Sequence, residues 1–253
     1  MKASDEVKEL YQNSNYESLD INYDLKFYPR YYQKDIIESC IKHKKSTFLA
    51  MTGSGKSLII AYIIKILKEN ELINRAVIVV PSTSLISQFY NDLLEYGIDE
   101  SLLGKFYADQ KDWNAPILIS TWQSLAYDAE KIRKTELSNL KKEIKKKSIT
   151  EEEKKEATSR YKHIQTQEYI EGIRELMGYR TQLMENTDCV IIDEVQVAKA
   201  TAVSSLLQKF SNAYYRIGCT GTFPDSKIDM ANIKSFLGPV VKEYGAKQLI
   251  KDG

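Results

Sequence analysis

A short glycine-containing stretch lies between an apolar run and a long apolar helix pattern, and it reads Ala50-Met51-Thr52-Gly53-Ser54-Gly55-Lys56-Ser57. Gly53 and Gly55 can take backbone conformations that are closed to residues with a Cβ, so that several N–H groups converge on one anion. The helix predicted from about Lys56 to Glu69 points the positive end of its dipole at the same place. The stretch therefore predicts a phosphate-binding loop, with a helix-capping Gly-Ser turn as the alternative for the string alone.

Two side chains of this loop have predictable partners. Lys56 would reach the β- and γ-phosphates of a nucleotide, and the Ser57 hydroxyl would bind a Mg²⁺ ion that also needs a carboxylate from elsewhere in the chain. Asp193, which follows the apolar run Cys189 to Ile192, can supply that carboxylate. Glu194 beside it would orient and deprotonate the attacking water. The alternative for an Asp-Glu pair after a buried strand is a helix N-cap.

Composition limits the classes of partner. The 253 residues suffice for one large α/β domain, and 36 Lys and Arg against 35 Asp and Glu leave a net charge of +1. Any nucleic-acid contact must therefore come from a local basic face. Three scattered cysteines favour buried thiols in a reducing, cytoplasmic setting. Two histidines without a C-x-x-C motif argue against structural zinc, and no apolar run is long enough to span a membrane.

Apolar runs alternate with amphipathic helix patterns along most of the chain. Five runs predict buried strands, namely Ser46 to Ala50, Ala76 to Val80, Ile117 to Ser120, Cys189 to Ile192 and Tyr215 to Cys219. This order predicts an α/β fold with a mostly parallel sheet, covered by helices on both faces, that binds its ligand at the carboxyl ends of the strands. Residues 1–26 are polar and lack periodicity, which predicts a loosely attached lead-in.

Residues 128–186 break this alternation, because they are crowded with Lys, Arg and Glu and contain no proline. Apolar residues at helical spacing predict two helices, the second starting at a capping box of Thr150 and Glu153. We expect an inserted, charged, antiparallel helical hairpin. It is either a solvated coiled coil without a partner or a basic arm that contacts nucleic acid through Lys141, Lys142, Lys145, Lys146 and Lys147.

Six short motifs occur in order along the chain: Arg30-Tyr31-Tyr32-Gln33, Thr52 to Ser57, Pro81 to Gln88, Ser120 to Leu125, Asp193-Glu194-Val195-Gln196 and Thr220-Gly221-Thr222. Their order and spacing resemble the first RecA-like domain of superfamily 2 helicases and translocases. Within that superfamily they resemble the ResIII-type helicases, among them the UvsW-like helicases of large phages, which implies work inside a bacterial, phage-infected or viral host cell. The resemblance runs from about Phe27 to the end, apart from the charged segment, and implies a RecA-like P-loop NTPase domain over residues 27–253.

The resemblance also implies a role for each motif. Catalysis would rest on Lys56, Asp193, Glu194 and Gln196, which replaces the histidine of DEAH relatives and so acts only by amide hydrogen bonds. ATP would be held by Arg30, Gln33, Thr52, Gly53, Ser54, Gly55, Lys56 and Ser57, with Gln33 reading the adenine edge. Mg²⁺ would sit on Ser57 and Asp193. Nucleic-acid phosphates would contact Ser82, Thr83, Gln88 and Thr121, for which helix caps are the alternative. Thr220 and Thr222 would form hydrogen bonds to Gln196 and Glu194 and so couple the ATP site to the nucleic-acid face.

The function implied is that of an N-terminal motor domain that couples ATP hydrolysis to movement along single- or double-stranded DNA, or RNA. Such motors close two RecA-like domains around ATP, yet no second sheet pattern or R-x-G-R-type element follows in this sequence. We expect a piece of a longer chain, in preference to a single-domain protein that needs a partner. Two rival functions stay open: a duplex-DNA translocase of a restriction or remodelling complex, and a nucleic-acid-binding or scaffold module with a residual ATP site.

On this interpretation the 253-residue chain alone should bind Mg·ATP weakly, hydrolyse it slowly and fail to unwind duplexes, because half of the ATP site is missing. Steady-state ATPase and strand-displacement assays measure these activities. Strong nucleic-acid-stimulated hydrolysis by this chain alone would contradict the expectation.

Overall fold

A computed structural model of the protein describes residues 19–51, 53–108, 110–146, 148–196, 200–222 and 226–244. Within these ranges the strands are β1 (Lys45–Ala50), β2 (Ala76–Val80), β3 (Leu103–Tyr107), β4 (Gln110–Lys111), β5 (Ile117–Thr121), β6 (Cys189–Ile192), β7 (Tyr215–Thr220) and β8 (Val240–Tyr244). The α-helices are α1 (Tyr31–His43), α2 (Lys56–Glu69), α3 (Thr83–Tyr96), α4 (Trp122–Ala126), α5 (Ala129–Ile144), α6 (Glu151–His163), α7 (Gln167–Glu185), α8 (Ala200–Lys209) and α9 (Lys227–Leu237).

The strands form one sheet in the order β4-β3-β5-β2-β6-β7-β1-β8. Every neighbouring pair is parallel except β3 and β4. The predicted mostly parallel sheet and all five predicted strands are confirmed. The strands β3, β4 and β8 were not predicted, because β3 contains Gly104 and Lys105 and the edge strand β8 contains Lys242 and Glu243. These residues interrupt the continuous apolar pattern of a buried strand.

Alternate residues of each central strand pack on opposite faces of the sheet. On one face Phe48, Ile78 and Ile191 join a cluster that includes the buried sides of α1, α2 and α3. On the other face Val79 and Val190 pack with side chains from α7, α8 and α9. Helices therefore cover both faces, as the apolar strands predict. None of the helices in the described ranges combines the length and apolar character that crossing a bilayer requires.

The charged segment forms three helices where the sequence predicts two. The predicted second helix ends at His163, because Thr166 accepts a hydrogen bond from the Tyr169 N–H and so caps a new helix, α7. The predicted capping box at Thr150 and Glu153 is confirmed as the start of α6. Apolar spacing alone did not separate α6 from α7, since residues on both sides of the break are apolar at intervals close to the helical repeat.

Helices α5 and α6 run antiparallel. Arg133 donates to the Ile164 carbonyl, Arg160 forms an ion pair with Glu136 at 2.6 Å, and Leu140 packs near Ala157, so sequence advances in opposite directions. In contrast, the end of α7 belongs to the main core through Leu183 and Met184.

The lysines of the predicted basic arm that the structure describes, Lys141, Lys142, Lys145 and Lys146, are exposed at the end of α5 and have no ion-pair partner within the described ranges. Lys147 lies outside the described residues. Both alternatives for the arm therefore stay open.

Gly238, which follows α9, offers a test of the fold. Its φ is +90°, and an added Cβ would lie 2.2 Å from the Lys45 carbonyl oxygen at the start of β1. We expect Gly238→Ala to lower the free energy of unfolding by more than about 2 kcal/mol, since it adds both backbone strain and overpacking. Urea unfolding followed by circular dichroism measures the change.

Gly172→Ala is the matched control, because Gly172 lies exposed within α7 with no atom within 4 Å of an added Cβ. This substitution should stabilise the protein by about 0.5–1 kcal/mol through helix propensity. Equal effects of the two substitutions would contradict the placement of Gly238 against β1.

Candidate active site

Three predicted motifs meet at the carboxyl edge of the sheet because of the strand order. Strand β7 lies between β1 and β6, and all three are parallel. The loop after β1, the residues 193–196 after β6 and the residues 220–222 after β7 therefore lie side by side. Segments that are distant in sequence are brought within hydrogen-bond distance at this edge.

The loop after β1 has the glycine conformations that the sequence predicts. Gly53 and Gly55 have φ of +83° and +76°, in the left-handed region that favours glycine. The Ser54 N–H donates to the Met51 carbonyl at 3.0 Å, which closes the turn before α2. Thr52 lies outside the described residues.

The motif Arg30 to Gln33, at the start of α1, contacts this loop. Tyr32 Oη and Gln33 Nε2 both donate to the Ser54 carbonyl, at 2.9 and 3.0 Å, and Gln33 Oε1 accepts from the Arg30 N–H at 2.8 Å. Gln33 is only 4% exposed, and an added Cβ on Gly55 would lie 2.5 Å from its Nε2. In this conformation the Gln33 amide nitrogen holds the loop, and its amide oxygen holds the Arg30 N–H at the start of α1. Its contact with adenine stays a prediction, as does a nucleotide contact for the exposed Arg30.

Lys56 and Glu194 form an ion pair between the loop and the end of β6. The other carboxylate oxygen, Glu194 Oε2, accepts from Gln196 Nε2 at 2.5 Å and from the Gly221 N–H at 3.3 Å. Burial raises the pKa of Glu194, but the hydrogen bonds from Lys56 and Gln196 outweigh burial and hold the pKa below its ordinary value. Glu194 has a φ of +49°, a left-handed conformation that costs a non-glycine residue energy and is often found at functional sites.

Thr220 extends this contact to β7. Its hydroxyl lies at hydrogen-bond distance from Gln196 Oε1 and from the Thr222 carbonyl, so the predicted Thr220–Gln196 contact is present. The predicted contact between Thr222 and Glu194 is wrong for this structure. The Thr222 N–H points back to Thr220 Oγ1 at 3.3 Å, and the N–H of Gly221 reaches Glu194 in its place. The backbone of Gly221 could not be singled out from residue type.

Asp193 is a buried carboxylate without an ion-pair partner among the described side chains. It is 6% exposed, and its Oδ1 accepts a weak hydrogen bond from Cys219 Sγ at 3.2 Å. Burial raises the pKa of Asp193, and the thiol only partly offsets this effect. The nearby cation, Lys56, pairs with Glu194 instead. Sequence reasoning placed Cys219 in the core without this contact to Asp193.

Ser57 has a partner that the sequence did not indicate. Its hydroxyl lies 2.8 Å from Tyr96 Oη, at the end of α3, and the Tyr96 ring packs edge-on against Phe27. The structure therefore brings Ser57 to Tyr96 and does not bond it to Asp193. The role of Ser57 as a Mg²⁺ ligand stays a prediction.

The predicted nucleic-acid residues lie at the ends of β2 and β5, which are neighbours in the sheet. Ser82, Thr83 and Gln88 are exposed at the start of α3, and Ser82 occupies the N-cap position without a capping side-chain bond. Thr121 is buried, and its Oγ1 accepts from the Ser124 N–H at 3.1 Å. The helix-cap alternative therefore describes Thr121, whereas Ser82, Thr83 and Gln88 are exposed, with Ser82 Oγ lying 2.9 Å from Ser84 Oγ.

Comparison with known proteins places these contacts in a family context. The family model described as "Type III restriction enzyme, res subunit" (ResIII) matches residues 26–225. The ATP-dependent DNA helicase UvsW of Enterobacteria phage T4 is 21% identical over 231 residues, which cover 89% of this chain and 36% of that protein. The crystal structure of the UvsW helicase from bacteriophage T4 has a TM-score of 0.59 at 17% identity, covering 93% of this chain and 67% of that chain.

The SWI2/SNF2 ATPase core of Sulfolobus solfataricus, solved in complex with dsDNA, has a TM-score of 0.54 at 15% identity over 85% of this chain and 36% of that chain. These structures share the fold of a RecA-like helicase domain, which confirms the predicted fold. The chain spans about 36% of the length of the T4 relative. The family model covers well over half of the sequence, and the chain belongs to the ResIII family.

Proposed function

We propose that this chain is the ATP-binding first RecA-like domain of a superfamily 2 helicase or translocase, which couples ATP hydrolysis to movement along nucleic acid. The observation that carries the proposal is the chain of contacts from Lys56 through Glu194 and Gln196 to Thr220. It joins the candidate phosphate loop to the end of β7 across three strands. Membership of the ResIII family and similarity to T4 UvsW support this function.

The loop residues suit a nucleoside triphosphate. Among the described residues, the buried Ser54 Oγ has no hydrogen-bond partner, and an added Cβ on Gly53 would meet no atom within 4 Å, so this part of the loop has room for a ligand. ATP supplies the phosphoanhydride bond and the charged oxygens that such a loop binds. Lys56 would then exchange Glu194 for phosphate oxygens, and the released Glu194 carboxylate could orient water.

Asp193 suits a divalent cation. Burial raises its pKa, and no cationic side chain in the described ranges forms an ion pair with it, so a bound cation would relieve an uncompensated carboxylate. Oxygen ligands from one carboxylate and one hydroxyl, with the rest from water and phosphate, are what Mg²⁺ prefers. Asp193 and the Ser57 hydroxyl are the residues we assign to it, although the described residues contain no cluster of three or more metal-ligating side chains.

We further propose that the exposed start of α3 contacts a DNA strand, or RNA, and that a second RecA-like domain completes the ATP site. Ser82, Thr83 and Gln88 offer hydroxyl and amide groups to phosphates without reading sequence. Strand β6, which leads to Glu194, lies between β2 and β7, so the contacts of Glu194 with Gly221 and of Gln196 with Thr220 can transmit the state of the nucleotide along this edge. The similarity to a phage T4 helicase supports the proposal that this protein acts inside a bacterial or phage-infected cell.

A duplex-DNA translocase is the second candidate. The family description names a restriction-enzyme subunit, and the fold resembles a SWI2/SNF2 core that was solved with dsDNA. Assays on the full-length protein separate the two, because this chain alone is not expected to unwind duplexes. Displacement of a labelled single strand from a duplex would support the helicase. Displacement of the third strand of a triplex without duplex separation would support the translocase.

Lys56→Ala should weaken ATP binding about 10- to 100-fold, the cost of losing a charge-assisted contact to phosphate. Titration with a fluorescent ATP analogue measures this loss. Lys65→Ala is the matched control, since Lys65 lies on the same helix and also forms an ion pair, with Asp24 at 2.6 Å. Unchanged ATP binding in Lys56→Ala would remove the basis of the motor hypothesis and favour a residual site.

Asp193→Asn should stabilise the nucleotide-free protein by about 1 kcal/mol, because it removes a buried carboxylate that lacks a cation. The same variant should lose the extra thermal stability that Mg²⁺ adds in the presence of ATP. Differential scanning calorimetry with and without Mg·ATP measures both effects.

Asp188→Asn provides the opposite control at the other end of β6. Asp188 Oδ2 accepts from the N–H groups of Asn74 and Arg75 at 2.7 and 2.9 Å, so its substitution should destabilise the protein and leave the response to Mg²⁺ intact. A destabilised Asp193→Asn with a normal response to Mg²⁺ would rule out the assigned metal role.

A further inference from the structure

Arg180, on α7, is a buried cation with unused hydrogen-bond donors. It is 7% exposed, and its Nη1 donates to the Tyr127 carbonyl at 2.7 Å. Within the described ranges its buried Nε has no acceptor, and no carboxylate there forms an ion pair with it. Because a guanidinium has five N–H donors and a charge that is costly to bury, a purely structural arginine would normally have a carboxylate partner.

Two aromatic rings lie beside this guanidinium, and two more continue the row of rings. Its central carbon lies 4.7 Å from the ring centroid of Tyr127 and 5.5 Å from that of Phe106. The Trp113 ring packs on Phe106 at 4.5 Å, and the Tyr179 ring lies 5.6 Å from Trp113. Tyr127, beside the cation, is 41% exposed, and Tyr179, at the outer end of this row of rings, is 46% exposed, so both rings are open to solvent.

This group of residues lies beside the candidate nucleic-acid face. Phe106 of β3 pairs with Ser120 of β5, whose hydroxyl donates to the Phe106 carbonyl at 2.7 Å. Thr121 follows at the carboxyl end of β5, and Tyr127 comes directly after α4. Strand β5 in turn neighbours β2, which leads to Ser82. The aromatic group therefore extends the same edge of the sheet toward β3.

We propose that Arg180, Tyr127, Tyr179 and Trp113 form a binding site, the Arg180 site, for one nucleotide unit of a nucleic-acid strand. A phosphate would accept from Nη2, because Nε is buried and Nη1 already donates to the Tyr127 carbonyl, and a base would stack on the exposed rings. Burial lowers the pKa of Arg180, in agreement with a cation that the protein leaves uncompensated. The inference rests on the proposed function, because it extends the strand path of the motor, and it assigns part of the charged segment to substrate binding.

The test measures binding of a fluorescein-labelled 20-nucleotide oligo-dT by fluorescence anisotropy, at several salt concentrations and without ATP. Arg180→Met should weaken binding about tenfold and reduce the slope of log K against log salt concentration by about 0.7, the value for one phosphate contact on a single strand. Arg174→Met is the matched control, an exposed arginine on the same helix that should change neither quantity.

Two further measurements keep the test decisive if Arg180→Met does not fold. Tyr127→Leu changes a half-exposed ring and should weaken oligonucleotide binding about fivefold. In a Trp122→Phe background, oligo-dT should quench the fluorescence of Trp113, the remaining tryptophan.

Equal oligonucleotide binding by Arg180→Met, Tyr127→Leu and wild type would overturn the Arg180 site while leaving ATP binding, and hence the proposed function, unaffected. Loss of binding to a second protein domain with unchanged oligonucleotide binding would overturn it in favour of a protein interface. A wild-type chain that binds neither ATP nor oligonucleotide would overturn both proposals.

Discussion

The parallel pairing of β6, β7 and β1 is the constraint on which the candidate active site depends. Because β7 separates the other two strands, Lys56 at the end of one reaches Glu194 at the end of the other across the Thr220–Gly221 turn. The site is thus a bridge between two strands that are not neighbours. Any change that slid β7 by one residue would reverse its side-chain faces and separate these contacts.

Residue patterns predicted the parts of the molecule whose cause is local. The glycine conformations at Gly53 and Gly55, the span of α2 and the buried central strands all follow from residue type and apolar continuity. The resemblance to superfamily 2 helicases, and not residue type, predicted the Thr220–Gln196 contact, and the sheet explains it because both motifs end parallel strands. In such sheets, the ends of sequence-distant strands converge at a common edge.

Contacts between distant segments were not predictable in the same way. Tyr96 meets Ser57 only because α3 packs beside α2, and Cys219 meets Asp193 only because β7 pairs with β6. Gly221 acts through its backbone, which residue type does not report. The break between α6 and α7 was missed because apolar residues continue close to the helical repeat on either side of it, and the edge strands were missed because charged residues interrupt them.

The Ser54 carbonyl of the candidate phosphate loop accepts two side-chain hydrogen bonds, which has a consequence for selectivity among nucleotides. Tyr32 and Gln33 both donate to the Ser54 carbonyl, so the segment predicted to recognise a base also sets the shape of the loop. A base that forms a hydrogen bond with the Gln33 amide in place of Ser54 would remove one of the two hydrogen bonds that fix the Ser54 carbonyl. The protein would then discriminate between purine nucleotides in the rate of hydrolysis as well as in binding affinity, since a different base would change how firmly the loop positions the phosphates.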